Sequence, residues 1–138
     1  MNELHKKVQV IILHRTNKII NTLLLQTKKD RGEYWQNVTG SVDGDESWED
    51  AASRELEEET GLKGEVHLID MVFKFHDRWD RDVEERVYYA EVDDTKVTIS
   101  EEEHQSFRWC NSDDLSEKDF GHANNFQAFK EALRCIKE

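Results

Sequence analysis

Glu55, Glu58 and Glu59 stand at positions i, i+3 and i+4, so on a helix their carboxylates share one face. Arg54 precedes Glu58 by one turn and can reach it. Trp48, Ala52 and Leu56, each four residues apart, form an apolar stripe whose shoulder overlaps that acidic face, while Asp50, Ser53 and Glu57 project to the opposite side. Like charges at this spacing destabilise a solvated helix by about 0.2–0.5 kcal/mol per pair. Partial burial enlarges the penalty unless a cation neutralises the group. Hard, oxygen-liganded cations such as Mg²⁺ or Mn²⁺ suit such a cluster. The plain alternative is a solvated acidic face with ordinary ion pairs, and the overlap with the apolar stripe weighs against it.

The elements that must position these residues follow from pattern. Ser47 to Thr60 is predicted as a helix: Ser47 is an N-cap, Asp50 can complete a capping box, and Gly61 stands where a terminating glycine belongs. Val8 to Leu13 and Ile19 to Gln26 are predicted strands, followed by a charged loop, Thr27 to Tyr34. Trp35 to Val38 is a short strand ending at Gly40. Val66 to Phe75 and Arg86 to Val92 are strands flanking a charged loop, His76 to Glu85, and Lys96 to Ile99 and Phe107 to Cys110 are shorter strands. Asn124 to Ile136 closes the chain as an amphipathic helix, with Phe126, Phe129, Leu133 and Ile136 at helical spacing. This order predicts an α+β or α/β/α layered arrangement, a single domain over residues 1–138.

Composition narrows the partners. With 31 acidic against 19 basic residues the net charge is −12, a poor match for a nucleic-acid duplex or an anionic membrane. Metal ions can still bridge such a chain to a small polyanion. No apolar run is long enough to span a bilayer. The N-terminal segment reads as a first strand with no cleavage site, and Cys110 and Cys135 show no metal-ligand spacing, so a reducing cytoplasm is expected. Proline is absent, which leaves turns to Gly, Asn and Asp.

Gly40, Glu46, Arg54, Glu55, Leu56, Glu58, Glu59, Gly61 and Leu62 meet every fixed position of the pattern G-x5-E-x7-R-E-U-x-E-E-x-G-U, where U is a bulky apolar residue. Over this segment the chain resembles the Nudix hydrolase family, and its element order agrees with that family's α/β/α sandwich on a mixed central sheet. The resemblance implies a Mg²⁺-dependent pyrophosphohydrolase, with Mn²⁺ a possible substitute. It implies metal ligands at Glu55, Glu58, Glu59 and the backbone carbonyl of Gly40, with Arg54 orienting the glutamates and Glu46 supporting the helix. The general base is either Glu55 or an acid from a later loop. The stretch Ser100 to His104, just before Phe107-Arg108-Trp109, resembles the segment that supplies such an acid, Glu103 first and Glu102 second.

Lys28, Lys29 and Arg31 precede Trp35 and are candidates to meet substrate phosphates, with Tyr34 and Trp35 walling the pocket or the core. His76, Arg78, Trp79 and Arg81 form a second basic-aromatic loop that can contact a base or sugar, and His14, His67 and His122 show no ligand pattern. The stretch Trp35 to Val42 resembles the bacterial subgroup acting on deoxynucleoside triphosphates and dihydroneopterin triphosphate. The expected substrate is therefore a small-molecule nucleotide or pterin triphosphate, cut to monophosphate and pyrophosphate by a monomer or homodimer. The rivals are a nucleotide-sugar or dinucleoside-polyphosphate enzyme and a non-catalytic nucleotide-binding regulator.

Overall fold

Side chains along the first strand alternate between two cores, and that alternation organises the molecule. The computed structural model describes residues 4–137; the outermost residues of the expected 1–138 domain lie outside them. In β1 (His5–Thr16), Val8, Val10 and Ile12 pack with Ala51, Ala52 and Leu56 of α1 (Trp48–Thr60). Ile11 and Leu13 turn to the other face and meet Ala128, Ala132 and Ile136 of α2 (Ala123–Lys137). Period-two alternation within one strand thus buries both faces, with one helix on each.

The other strands are β2 (Ile19–Thr27), β3 (Trp35–Gln36), β4 (Val38–Ser41), β5 (Val66–His76), β6 (Asp82–Glu91) and β7 (His104–Asn111). They form one seven-stranded sheet in the order β3-β2-β1-β6-β5, with β4 also pairing β1 and β7 pairing β2. β1 and β6 run parallel and the other pairs antiparallel, so the sheet is mixed. This is the expected α+β, α/β/α arrangement. No helix among the described residues is long and apolar enough to cross a membrane.

Four expectations change in detail. Lys96 to Ile99 forms no strand; Val97 and Ile99 cover the α1-side core, and Thr98 N–H bonds Thr60 O at 2.9 Å. Its β-branched side chains are used for packing, not for a ladder. The strand at Trp35 divides into β3 and β4 at Asn37, whose N–H goes to Asn125 Oδ1 (2.9 Å), and β4 runs through Gly40 to Ser41. The charged loop His76 to Glu85 is half ladder, because β5 and β6 pair out to His76 and Asp82 and leave only residues 77–81 as the turn. In the loop before Tyr34, Lys29–Arg31 forms a 3-10 turn closed by Gly32 at φ +99°. At the start of α1, Ser47 Oγ accepts from Asp50 N–H at 3.1 Å, one arm of the expected capping box. Gly61, at φ +72°, ends the helix by donating its N–H to Glu57 O.

A buried polar chain ties the layers together. Asn37 Nδ2 donates to Gln9 Oε1, and Gln9 Nε2 donates to Glu85 Oε1, both at 2.8 Å. Gln9 and Asn37 are fully buried and Glu85 is 3% exposed. Burial raises the Glu85 carboxyl above its ordinary 4.5, with Lys7 and Gln9 opposing. A carboxyl that binds its proton more tightly when folded stabilises at low pH, and that contribution is lost as pH rises through the raised value. In urea unfolding, Glu85→Gln is therefore expected to match the parent well below pH 4.5 and to become progressively more stable than it as pH rises to 8. A gap independent of pH would contradict the assignment.

Candidate active site

Arg54 joins the loop after β4 to α1. Its Nε and Nη2 donate to the two oxygens of Glu46 at 2.8 and 3.0 Å, and Nη2 also reaches Ser41 O at 2.9 Å. Nη1 donates to Glu55 Oε1 and Glu58 Oε2, both at 3.0 Å. Arg54 holds Glu46 down to about 2. A planar guanidinium meets this many acceptors because its donors project in a fixed fork.

The three helix acids differ in depth. The side chains of Glu55 and Glu59 are 10% and 6% exposed, whereas that of Glu58 is 54% exposed. Burial pushes Glu55 up to about 7, against the pull of Arg54. Glu55 also lies against Gly40, where an added Cβ would fall 2.0 Å from Glu55 Cδ. Glycine is therefore needed at position 40 so that backbone and carboxylate can approach.

Glu59 meets residues from the end of the chain segment before β7. Gln36 Nε2 stands 3.1 Å from His104 Nε2 and donates to it, which leaves the ring proton on Nδ1 to donate to Glu59 Oε2 at 3.0 Å. Burial works against the Glu59 carboxylate, but the bonds from His104 and Glu103 bring it below its ordinary value. Glu103 moves the other way, raised by burial and by its hydrogen bond to Glu59. One ligand atom from each of Glu59, Glu103 and His104 falls within 4.8 Å of the others. Buried carboxylates crowded so closely, with oxygen donors converging, fit a hard divalent cation.

These groups line a cleft of about 370 Å³. Of the residues singled out in the sequence, Gly40, Arg31, Arg54, Glu55, Glu58, Glu59, Trp79, Arg81 and Glu103 line it. Lys28, Lys29 and Trp35 do not; Trp35 packs on the Leu24–Phe129 core with Arg108 4.4 Å from its ring centroid. Glu102 is exposed outside the cleft. His5 and Lys7 line the same cleft. Sequence reasoning passed over Gln36, His104, His5 and Lys7 as site residues. The adjacency of His104 to Glu103 was the one available signal; the others depend on strand register.

A family model described as NUDIX domain matches residues 3–131. The chain is 30% identical over 116 residues to the CTP pyrophosphohydrolase of Escherichia coli (strain K12), covering 79% of each. It is 38% identical over 66 residues to the RNA pyrophosphohydrolase of Pelagibacter ubique, 48% of this chain. It spans only 39% of that relative, and 19% of the octanoyltransferase of Myxococcus xanthus, which it matches at 36% identity over 69 residues. A solved Ap4A hydrolase binary complex from C. elegans shares the fold at a TM-score of 0.80 and 21% identity, over 96% of this chain and 98% of that one.

The fork of Arg54 can be tested separately from its charge. Arg54→Lys keeps the cation but leaves acceptors without donors, and is expected to cost about 2 kcal/mol or more in urea unfolding. Lys63→Ala, which removes an exposed pair to Glu57 at 3.8 Å, should stay within about 0.5 kcal/mol. Equal effects would show that the guanidinium holds nothing together.

Proposed function

Because this chain belongs to the NUDIX domain family, we propose that it is a divalent-metal-dependent pyrophosphohydrolase that cuts a nucleoside triphosphate, or a related pterin triphosphate, to monophosphate and pyrophosphate. The observation that carries this reading is the cleft itself: Glu55, Glu58, Glu59 and Glu103 line it together with His5, Lys7, Arg31 and Arg81. A polyanion needs cations around it, and this cleft offers carboxylate ligands for metal cations as well as basic side chains of its own. The 79% coverage of a relative named for a nucleoside triphosphate favours that class over dinucleoside polyphosphates. A mere binding module has no need of so many clustered carboxylates.

Glu55, Glu58, Glu59, Glu103 and the Gly40 carbonyl would hold Mg²⁺ or Mn²⁺. Bound there, the ion would neutralise charge on the phosphate oxygens. The chain's own residues do the rest. Arg54 fixes Glu55 and Glu58 so that both carboxylates stay aimed into the cleft. His104, held by Gln36, fixes Glu59. Glu103, or failing it Glu55, accepts a proton from the attacking water as its oxygen bonds to phosphorus and the bridging P–O bond breaks, with pyrophosphate leaving. Lys7, Arg31 and Arg81 pair with the remaining phosphate charge.

Chelation is expected to abolish turnover and Mg²⁺ or Mn²⁺ to restore it; full activity in metal-free buffer would sink the proposal. Products resolved by chromatography should be monophosphate and pyrophosphate, and release of orthophosphate alone would reject the cleavage position. A second experiment addresses the acids. Glu103→Gln should lower kcat by at least about 10²-fold with folding unchanged, while Glu57→Gln, on the far face of α1, should be near neutral. If Glu103→Gln turns over normally, Glu55 becomes the base.

A further inference from the structure

The cleft is polar almost throughout. Among the residues that line it, Trp79 is the one Phe, Tyr or Trp. It is also 61% exposed, an unusual placement for so large an apolar surface. Its position does not come from core packing but from the turn that carries it. Asp77 Oδ1 accepts from the N–H groups of both Trp79 and Arg81 at 3.0 Å, and Asp77 Oδ2 accepts from Arg81 Nε at 2.9 Å. Asp80 completes the reversal at φ +61°. This five-residue tip is closed by its own side chain and holds the indole out over the cleft mouth.

The surroundings of the indole are cationic. The Arg78 guanidinium lies 4.3 Å from its ring centroid and that of Arg81 lies 5.2 Å away. Arg81 Nη1 also reaches His5 Nδ1 at 3.3 Å, and Lys7 lines the same wall. A largely exposed indole with guanidinium groups over its ring, lining the same cleft as a carboxylate cluster, suits a flat ring joined to a chain of phosphates. Such rings stack on aromatic side chains with little regard to their identity, because every heteroaromatic ring has a π-face.

We propose that Trp79 is the stacking platform for the planar heteroaromatic ring of the substrate, a nucleobase or a pterin, and that it sets the preference for ring-bearing over ringless polyphosphates. This rests on the hydrolase reading above for the identity of the cleft, but not on catalysis taking place. Trp79 touches no helix acid and acts on affinity.

The test is titration calorimetry in Mg²⁺ with the α,β-methylene analogues of the four common nucleoside triphosphates, which cannot be cut at that bridge, and with inorganic tripolyphosphate as the ringless probe. Trp79→Ala is expected to weaken the analogues that bind by about 5- to 150-fold, the range of base–aromatic stacking, and to leave tripolyphosphate within about twofold. Trp79→Phe should recover most of the loss. An exposed side chain on a turn closed by Asp77 can be removed without unfolding the chain, which circular dichroism checks. Turnover of dihydroneopterin triphosphate beside the nucleoside triphosphates identifies the ring, as the one whose kcat/KM falls in Trp79→Ala. Equal weakening of ring-bearing and ringless probes, no weakening of either, or no binding of any analogue by the parent chain would overturn the proposal. Loss of hydrolysis with the binding pattern intact would count against the hydrolase reading alone.

Discussion

A single guanidinium from the middle of α1 holds the loop and the helix in one piece. Arg54 contacts Glu46 and Ser41 on the loop side and Glu55 and Glu58 on the helix side. Without it, three acidic side chains would be drawn together by the fold with nothing to oppose their repulsion. With it, one positive charge is shared among carboxylates that still carry excess negative charge. The geometry is therefore held together but electrostatically incomplete, and a bound cation would relieve that incompleteness.

Depth separates the acids that share this face. Glu55 lies under Arg54 and against Gly40, Glu59 is pinned by His104, and Glu58 stands in the open. Nominally identical side chains thus have different proton affinities, with Glu55 raised by burial and Glu59 lowered by its hydrogen bonds. Since Glu55 and Glu59 are about equally buried, the contrast between them comes from their hydrogen-bond partners, with His104 and Glu103 acting on Glu59.

Much of this was legible in the sequence, and the boundary has physical causes. The face shared by Glu55, Glu58 and Glu59, the cap at Ser47 and the stop at Gly61 are local, fixed by helical period and by the conformational freedom of glycine. Alternation marked β1 and β2. What escaped depends on contacts between segments far apart. Gln36 and His104 meet only because β3 and β7 flank β2. Asn37 breaks its strand because its N–H finds Asn125, from α2. Lys96 to Ile99 looked like a strand because β-branched residues serve a packed coil as well as a ladder. Lys28 and Lys29 had the right charge beside Arg31, yet the turn at Gly32 leaves only Arg31 on the cleft.

The parallel pairing of β1 with β6 sets an order on assembly. His5 lies opposite Val83 and Leu13 opposite Glu91, so the most buried strand finds one of its two principal neighbours only after more than half the chain has been laid down. The β1–β2 and β5–β6 hairpins are local and close early, whereas joining them requires a long loop containing α1 to be closed first. During synthesis on the ribosome, Val8 to Leu13 must therefore wait with one edge open, an apolar run exposed to other chains until β6 arrives. Crowded expression would press hardest on this interval, and a slower supply of chains, rather than a more stable native state, is what would relieve it.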